Sequence, residues 1–198
     1  MSDTDALLRE LNHRVNNNFQ IVVSLMNLKK RLLPVERQDD IRFIEEHVQS
    51  MAVAYRLIYA TGLFLEVPAA ELLADVVLGL RLISKLPAER IDVDVSGMNG
   101  MLNLDQAIAL ALYVAVALPP YLDHARLSKR NVDVVAKISD AHISLTIAGD
   151  WVAPVTMDFL RERLMVAYIS QLGANQNAQS NRAAHDISFK VAPPQLSD

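Results

Sequence analysis

Residues 7–28 read LLRELNHRVNNNFQIVVSLMNL, and the period of this stretch decides the architecture of the chain's first third. Leu8, Leu11, Val15, Phe19, Val22 and Met26 recur in steps of three and four, so they form one apolar stripe on an α-helix. The helix is expected from about Asp5 to Leu33, with Pro34 as its break. A second helix is expected from about Arg37 to Tyr59. Its apolar residues Ile41, Ile44, Val48, Met51, Tyr55 and Ile58 repeat the same alternation, which is the seam of a helical bundle. One hairpin fills only half of each apolar face. Pairing with a second copy into a dimeric four-helix bundle is the economical solution.

Further along, the pattern changes. Pro68 to about Lys85 reads as a helix, 91–95 as a strand, and 104–118 as a strongly apolar helix ended by Pro119-Pro120. Residues 131–138 and 142–148 read as paired strands around Ser139-Asp140. Residues 156–172 read as a helix capped by Thr156 and stopped by Gly173, and 185–191 as a last strand. Helices interleaved with hairpin strands give an α+β layer sandwich. The expected division is 1–62 for the helical hairpin and 63–198 for the sandwich domain.

The bulk composition narrows the function classes. Half the residues are hydrophobic (52%) and 21% are charged, a globular balance. The net charge of −4 offers no basic surface for nucleic acid, and the lack of cysteine removes disulfides, thiol catalysis and thiolate metal sites. No basic flank precedes an apolar run at the N-terminus, and the apolar stretch 108–118 is short for a bilayer, so no membrane association is expected and a cytoplasmic protein is. His47, His124, His142 and His185 are scattered without metal-ligand spacing, and no Gly-x-Ser-x-Gly elbow exists. No metal site and no bound cofactor are therefore expected in this chain.

His13 stands apart from these. At 100° per residue it lies opposite the apolar stripe, in line with Glu10, Asn17, Gln20, Ser24, Asn27 and Arg31. A surface histidine ordinarily needs no explanation, so its surroundings in sequence decide. His13-Arg14-Val15-Asn16-Asn17-Asn18-Phe19-Gln20 resembles the phosphoacceptor helix of HWE-type bacterial sensor histidine kinases, with Asn16 where that family has lysine. The segment 49–59 resembles the family's second helix, with Tyr55 where histidine is common. The resemblance implies that His13 is a phosphoacceptor, that Arg14 screens the phosphoryl charge, and that Asn17 stands where related families orient a water. A neutral imidazole suits this chemistry, because its ordinary pKa of about 6.5 leaves it largely unprotonated and nucleophilic near neutrality.

The family's next domain binds ATP, and here the resemblance implies a loss. Residues 102–112 resemble the start of the helix that carries a glutamate and an asparagine for magnesium. Those two positions fall on Val116 and Pro120, and the following basic position falls on Asp123. Neither valine nor proline offers a side-chain oxygen. In Gly149-Asp150-Trp151-Val152-Ala153, Asp150 keeps the adenine-box aspartate, but Trp151 and Ala153 replace glycines. Trp151 is expected to plug the vanished pocket, and 159–172 contains no glycine. A phosphoacceptor hairpin beside a degenerate kinase ATPase-like domain resembles the bacterial histidine phosphotransferases derived from such kinases. That implies a phosphorelay in which His13 passes phosphoryl groups between receiver-domain aspartates. Partners would be a second copy, a hybrid histidine kinase and a response regulator, with magnesium held by the receivers. The alternatives are a pseudokinase dimer that sequesters response regulators without transfer, and a residual sensor histidine kinase.

Overall fold

The computed structural model describes residues 3–34, 37–60, 66–97, 100–153, 155–176 and 183–191, and side chains throughout these except at 3–14, 16, 17, 59 and 60. Two long helices come first, α1 (Asp3–Leu32) and α2 (Gln38–Ala60). Residues 61–65, around the expected division of the chain, lie outside the described residues. Then follow β1 (Glu66–Pro68), α3 (Ala69–Ser84), β2 (Ile91–Gly97), β3 (Met101–Asn103), α4 (Leu104–Ala117) and α5 (Pro119–Ser128). The chain continues through β4 (Val132–Ile138), β5 (His142–Gly149), α6 (Phe159–Leu172), β6 (Asn175–Gln176) and β7 (Ala184–Lys190). The architecture is mixed α+β, helices followed by a sheet.

The main sheet runs β2-β4-β5-β7-β6, and β1 pairs separately with β3. Every pairing in the main sheet is antiparallel except β2 with β4, where Ile91 registers with Val132 and the crossover carries β3, α4 and α5. Strict alternation decides which face is covered. Val132, Val134 and Ala136 of β4, Ile143, Leu145 and Ile147 of β5, and Ile187 and Phe189 of β7 are buried. Their neighbours Asp133, Lys137, Ser144, Thr146 and Ser188 point the other way and are half-buried or exposed. One face therefore packs on helices and the other stays polar.

Helix α4 is the centre of the packing. Nine of its residues are buried, and it contacts α2, α3, α5 and α6. Asn103 caps it by accepting the Gln106 N–H at 2.9 Å. The proline pair ends α4 as expected, but it also opens a helix that the pattern did not reveal. Leu118 keeps right-handed helical angles and Pro119 occupies the first turn of α5, where its missing N–H costs nothing. Leu104–Ser128 thus forms a single helical run long and apolar enough to span a bilayer by length and composition, yet most of it is buried against the rest of the protein. It is the core.

The expected Thr156 cap is displaced by two residues. Asp158 caps α6, its carboxylate accepting the Arg161 N–H at 2.9 Å. A carboxylate at a helix N-terminus gains from the helix dipole as well as from the hydrogen bond. Gly173 ends α6 at φ 60°, a conformation that suits glycine.

Candidate functional site

Helix α2 has two working faces on opposite sides. Part of the expected seam turns towards α1, where Phe19 meets Tyr55 with ring centroids 5.5 Å apart and Lys30 pairs with Glu45 at 2.9 Å, whereas Ile58 is buried in the core and Ile44 is exposed. Half a turn away, Val53, Ala54 and Leu57 enter the same core as α3 and α4. On that inner face, one and two turns before Val53, sit Ser50 and Glu46, both buried.

Glu46 is fully enclosed, and two arginines reach it. Arg161 of α6 donates through Nη2 at 3.1 Å, and Arg42 brings Nε to 3.4 Å. Arg161 also donates to the Val116 carbonyl at 3.3 Å and lies 4.8 Å from the centre of the Phe43 ring. Arg42 places both terminal nitrogens on the two carboxylate oxygens of Asp123 in α5. The result is a chain of alternating charge, Asp123–Arg42–Glu46–Arg161–Asp158, joining α2 to α5 and α6. Loss of water holds the Glu46 carboxyl above the ordinary range, against the opposing pull of Arg161 and then Arg42. Beside it, burial holds the His47 imidazole below its ordinary pKa, although Nδ1 lies 2.7 Å from the Phe43 carbonyl oxygen.

None of these five charged residues was singled out as a partner set from the sequence. Arg42 and Glu46 stand four apart on one helix, which is a readable signal. Asp123 and Arg161 lie 81 and 115 residues away from their partners, beyond any local pattern.

Two of the positions named from the sequence touch this network, Val116 through its carbonyl and Asp123 through its carboxylate. Val116 is fully buried, and Pro120 and Asp123 sit on α5. Trp151 folds back over Gly149, where any added methyl would overlap its ring, and stacks on His124 with centroids 4.4 Å apart. Tyr121 completes the aromatic cluster 5.9 Å from Trp151 and 5.7 Å from His185. Asp150 points outward and is exposed. Between α2, α5 and the start of α6 remains an open groove of about 880 Å³, with Pro120, Asp123 and His124 on one wall. Among the described residues no group of three or more His, Asp or Glu side chains could hold a metal.

The sequence-singled residues His13, Arg14 and Asn17 lie in α1, and their side chains are outside the described ones. The helix extends the register unbroken to the rest of the strip. Gln20, Ser24 and Arg31 are exposed, and the Ser24 hydroxyl donates to the Gln20 carbonyl at 2.7 Å. Gln20 borders a smaller groove of about 380 Å³ shared with Gln49, Arg56 and Asp75.

Residues 10–83, less than half of the chain, match the HisKA_2 family model, described as histidine kinase. Among solved structures, the histidine kinase domain from the Erythrobacter litoralis EL346 blue-light activated histidine kinase is similar, with a TM-score of 0.61 and 16% identity over 96% of this chain and 94% of that one. The longer Erythrobacter litoralis EL346 structure gives a TM-score of 0.60 at 17% identity, and this chain spans 64% of it. At these identities the likeness is one of fold. No curated protein matches the sequence.

Proposed function

We propose that this chain is a histidine phosphotransferase of a two-component phosphorelay, acting in the cytoplasm, with His13 as the carrier. The observation that carries the reading is the state of the nucleotide elements beside a histidine kinase hairpin. Val116 is buried with its carbonyl engaged by Arg161, and Trp151 covers Gly149. These residues do not fit magnesium and ATP, and no step here passes through them. Phosphate must then come from another protein.

In the first half-reaction the neutral imidazole of His13 attacks phosphorus in line. An N–P bond forms as the acyl-phosphate P–O bond of the donor receiver breaks, and the aspartate carboxylate leaves. The second half runs in reverse. A carboxylate of the acceptor receiver attacks phosphorus, and the imidazole nitrogen leaves with its electron pair. Arg14, beside the carrier, stabilises the spread of negative charge. Asn17, one turn on, orients groups along the same strip. Magnesium belongs to the receiver pockets.

A panel of receiver domains carrying labelled phosphate tests this. Wild type takes up label and His13→Ala takes up none, while labelled ATP with magnesium leaves wild type unlabelled. Self-labelling from ATP would instead indicate a residual kinase. Receiver binding without uptake in either protein would indicate a sequestering pseudokinase.

A homodimer belongs to the same reading. Ile21, Leu25, Leu28 and Leu32 lie exposed on the side of α1 away from Phe19 and Met26, spaced four, three and four. That unfilled stripe supports a dimeric four-helix bundle. Light scattering is expected to give a dimer mass, reduced to a monomer by Leu25→Asp with Leu28→Asp. Because both leucines are exposed, the pair should change monomer stability by no more than about 0.5 kcal/mol per site. A monomeric wild type would refute it.

A further inference from the structure

We infer that the groove between α2, α5 and α6 is a docking site for a helical segment of a partner protein, apolar along one face and flanked by lysine or arginine. Its rim is apolar on three sides. Ile44 of α2, Leu127 of α5 and Leu160 of α6 line it, exposed at 48%, 75% and 53%. Large apolar side chains this open, drawn from three helices to one groove, mark a surface suited to a partner. Walls supplied by helices, with apolar anchors spaced around an open trough, suit an amphipathic helix.

Charge selects the occupant. The two cationic side chains in the lining are already committed, Arg42 to Asp123 and Glu46, and Arg161 to Glu46 and Asp158. The four carboxylates in the lining, Asp39, Asp40, Asp123 and Asp158, outnumber them. The Asp39 side chain is 80% exposed and that of Asp158 62%, and Asp40 is exposed beside them. Each arginine guanidinium lies at or beyond 3.6 Å from the outer carboxylate on its own helix. The mouth is therefore negative and the rim apolar. A nucleotide triphosphate would be repelled, whereas a helix with a leucine-type face and basic edges matches both features. The groove occupies the wall that carries Pro120 and Asp123, so a region that in the resembled kinases handles phosphate offers here the opposite charge.

The test uses the full chain and three probes: a fluorescein-labelled amphipathic helix of leucine and lysine, the same helix with glutamate for lysine, and ATP with magnesium. The lysine peptide is expected to bind saturably at concentrations below about 100 µM, more weakly as salt rises. Binding should weaken at least roughly tenfold in Leu127→Ser with Leu160→Ser, and separately in Asp40→Lys, with unchanged thermal unfolding. The glutamate peptide and ATP should not bind. Equal affinity for wild type and the variants, no saturable binding of the lysine peptide, or competition by ATP would each overturn the proposal. Uptake of phosphate at His13 is measured separately and stands or falls without it.

Discussion

Trp151 and Gly149 are packed so closely that each sets the space available to the other. An indole lies against the glycine and stacks on His124. Gly149 is needed because its missing Cβ makes room for the ring. Gly149→Ala is therefore expected to destabilise the protein by about 1–3 kcal/mol through overpacking. Trp151→Ala should cost about 3–5 kcal/mol through the cavity it leaves. Since one change supplies the space that the other lacks, the double variant should lose clearly less than the sum in denaturant titration. Additive losses would mean that the two residues do not share this space. A tryptophan two residues after Gly149 was legible in the sequence. Its stacking partner His124 was not, since 27 residues and a strand pair separate them.

At the scale of elements, the charge chain fixes how the hairpin sits on the rest of the protein. Breaking it at one end strands a buried carboxylate. Arg161→Met is expected to cost roughly 3 kcal/mol, visible as a drop of about 6–12 °C in Tm. Glu46→Leu combined with Arg161→Met should recover most of that loss, because an enclosed ion pair gives back in attraction little more than its ions lost in leaving water. If the single and double variants fall equally, Glu46 is not the group stranded by loss of Arg161. Element boundaries followed from local rules where those rules were unopposed. Both long helices, α3, α4 and the strands of the main sheet other than the two-residue β6 lie where periodicity put them. The short strands β1, β3 and β6 carry too few residues for a pattern. Helix α5 was hidden because its proline pair reads equally as a stop for α4 and as a first turn. The α6 cap shifted from Thr156 to Asp158 because both residue types cap well, and a local pattern does not rank them against the tertiary position of Arg161.

Over the whole molecule, half-buried histidines should set the response to acid. His47 and His185 are both held below their ordinary pKa by burial. Below about pH 6.5 the unfolded chain takes up protons that the folded protein refuses, so stability is full above that value and falls as pH drops through the window beneath it. Glu46, held above its ordinary value, acts in the opposite sense and partly offsets the loss at the lower end. The urea midpoint is expected to fall between about pH 7.5 and 5.5, and His47→Gln with His185→Gln should flatten that fall. An unchanged slope in the double variant would exclude these two residues as its source. The sequence alone determined the helical hairpin and the alternating sheet and set His13 on a polar strip of the first helix, because each is written in spacing or residue type within a few turns of chain. Only the tertiary structure decided that α2 carries a second face sunk into the core and that Glu46 is enclosed by arginines from two helices. It alone decided that the wall around Pro120 and Asp123 opens as an acidic, leucine-rimmed groove. Those features depend on residues some 80 to 115 positions apart meeting on packed helices. Packing over such separations is a global balance of burial and charge that no local period encodes.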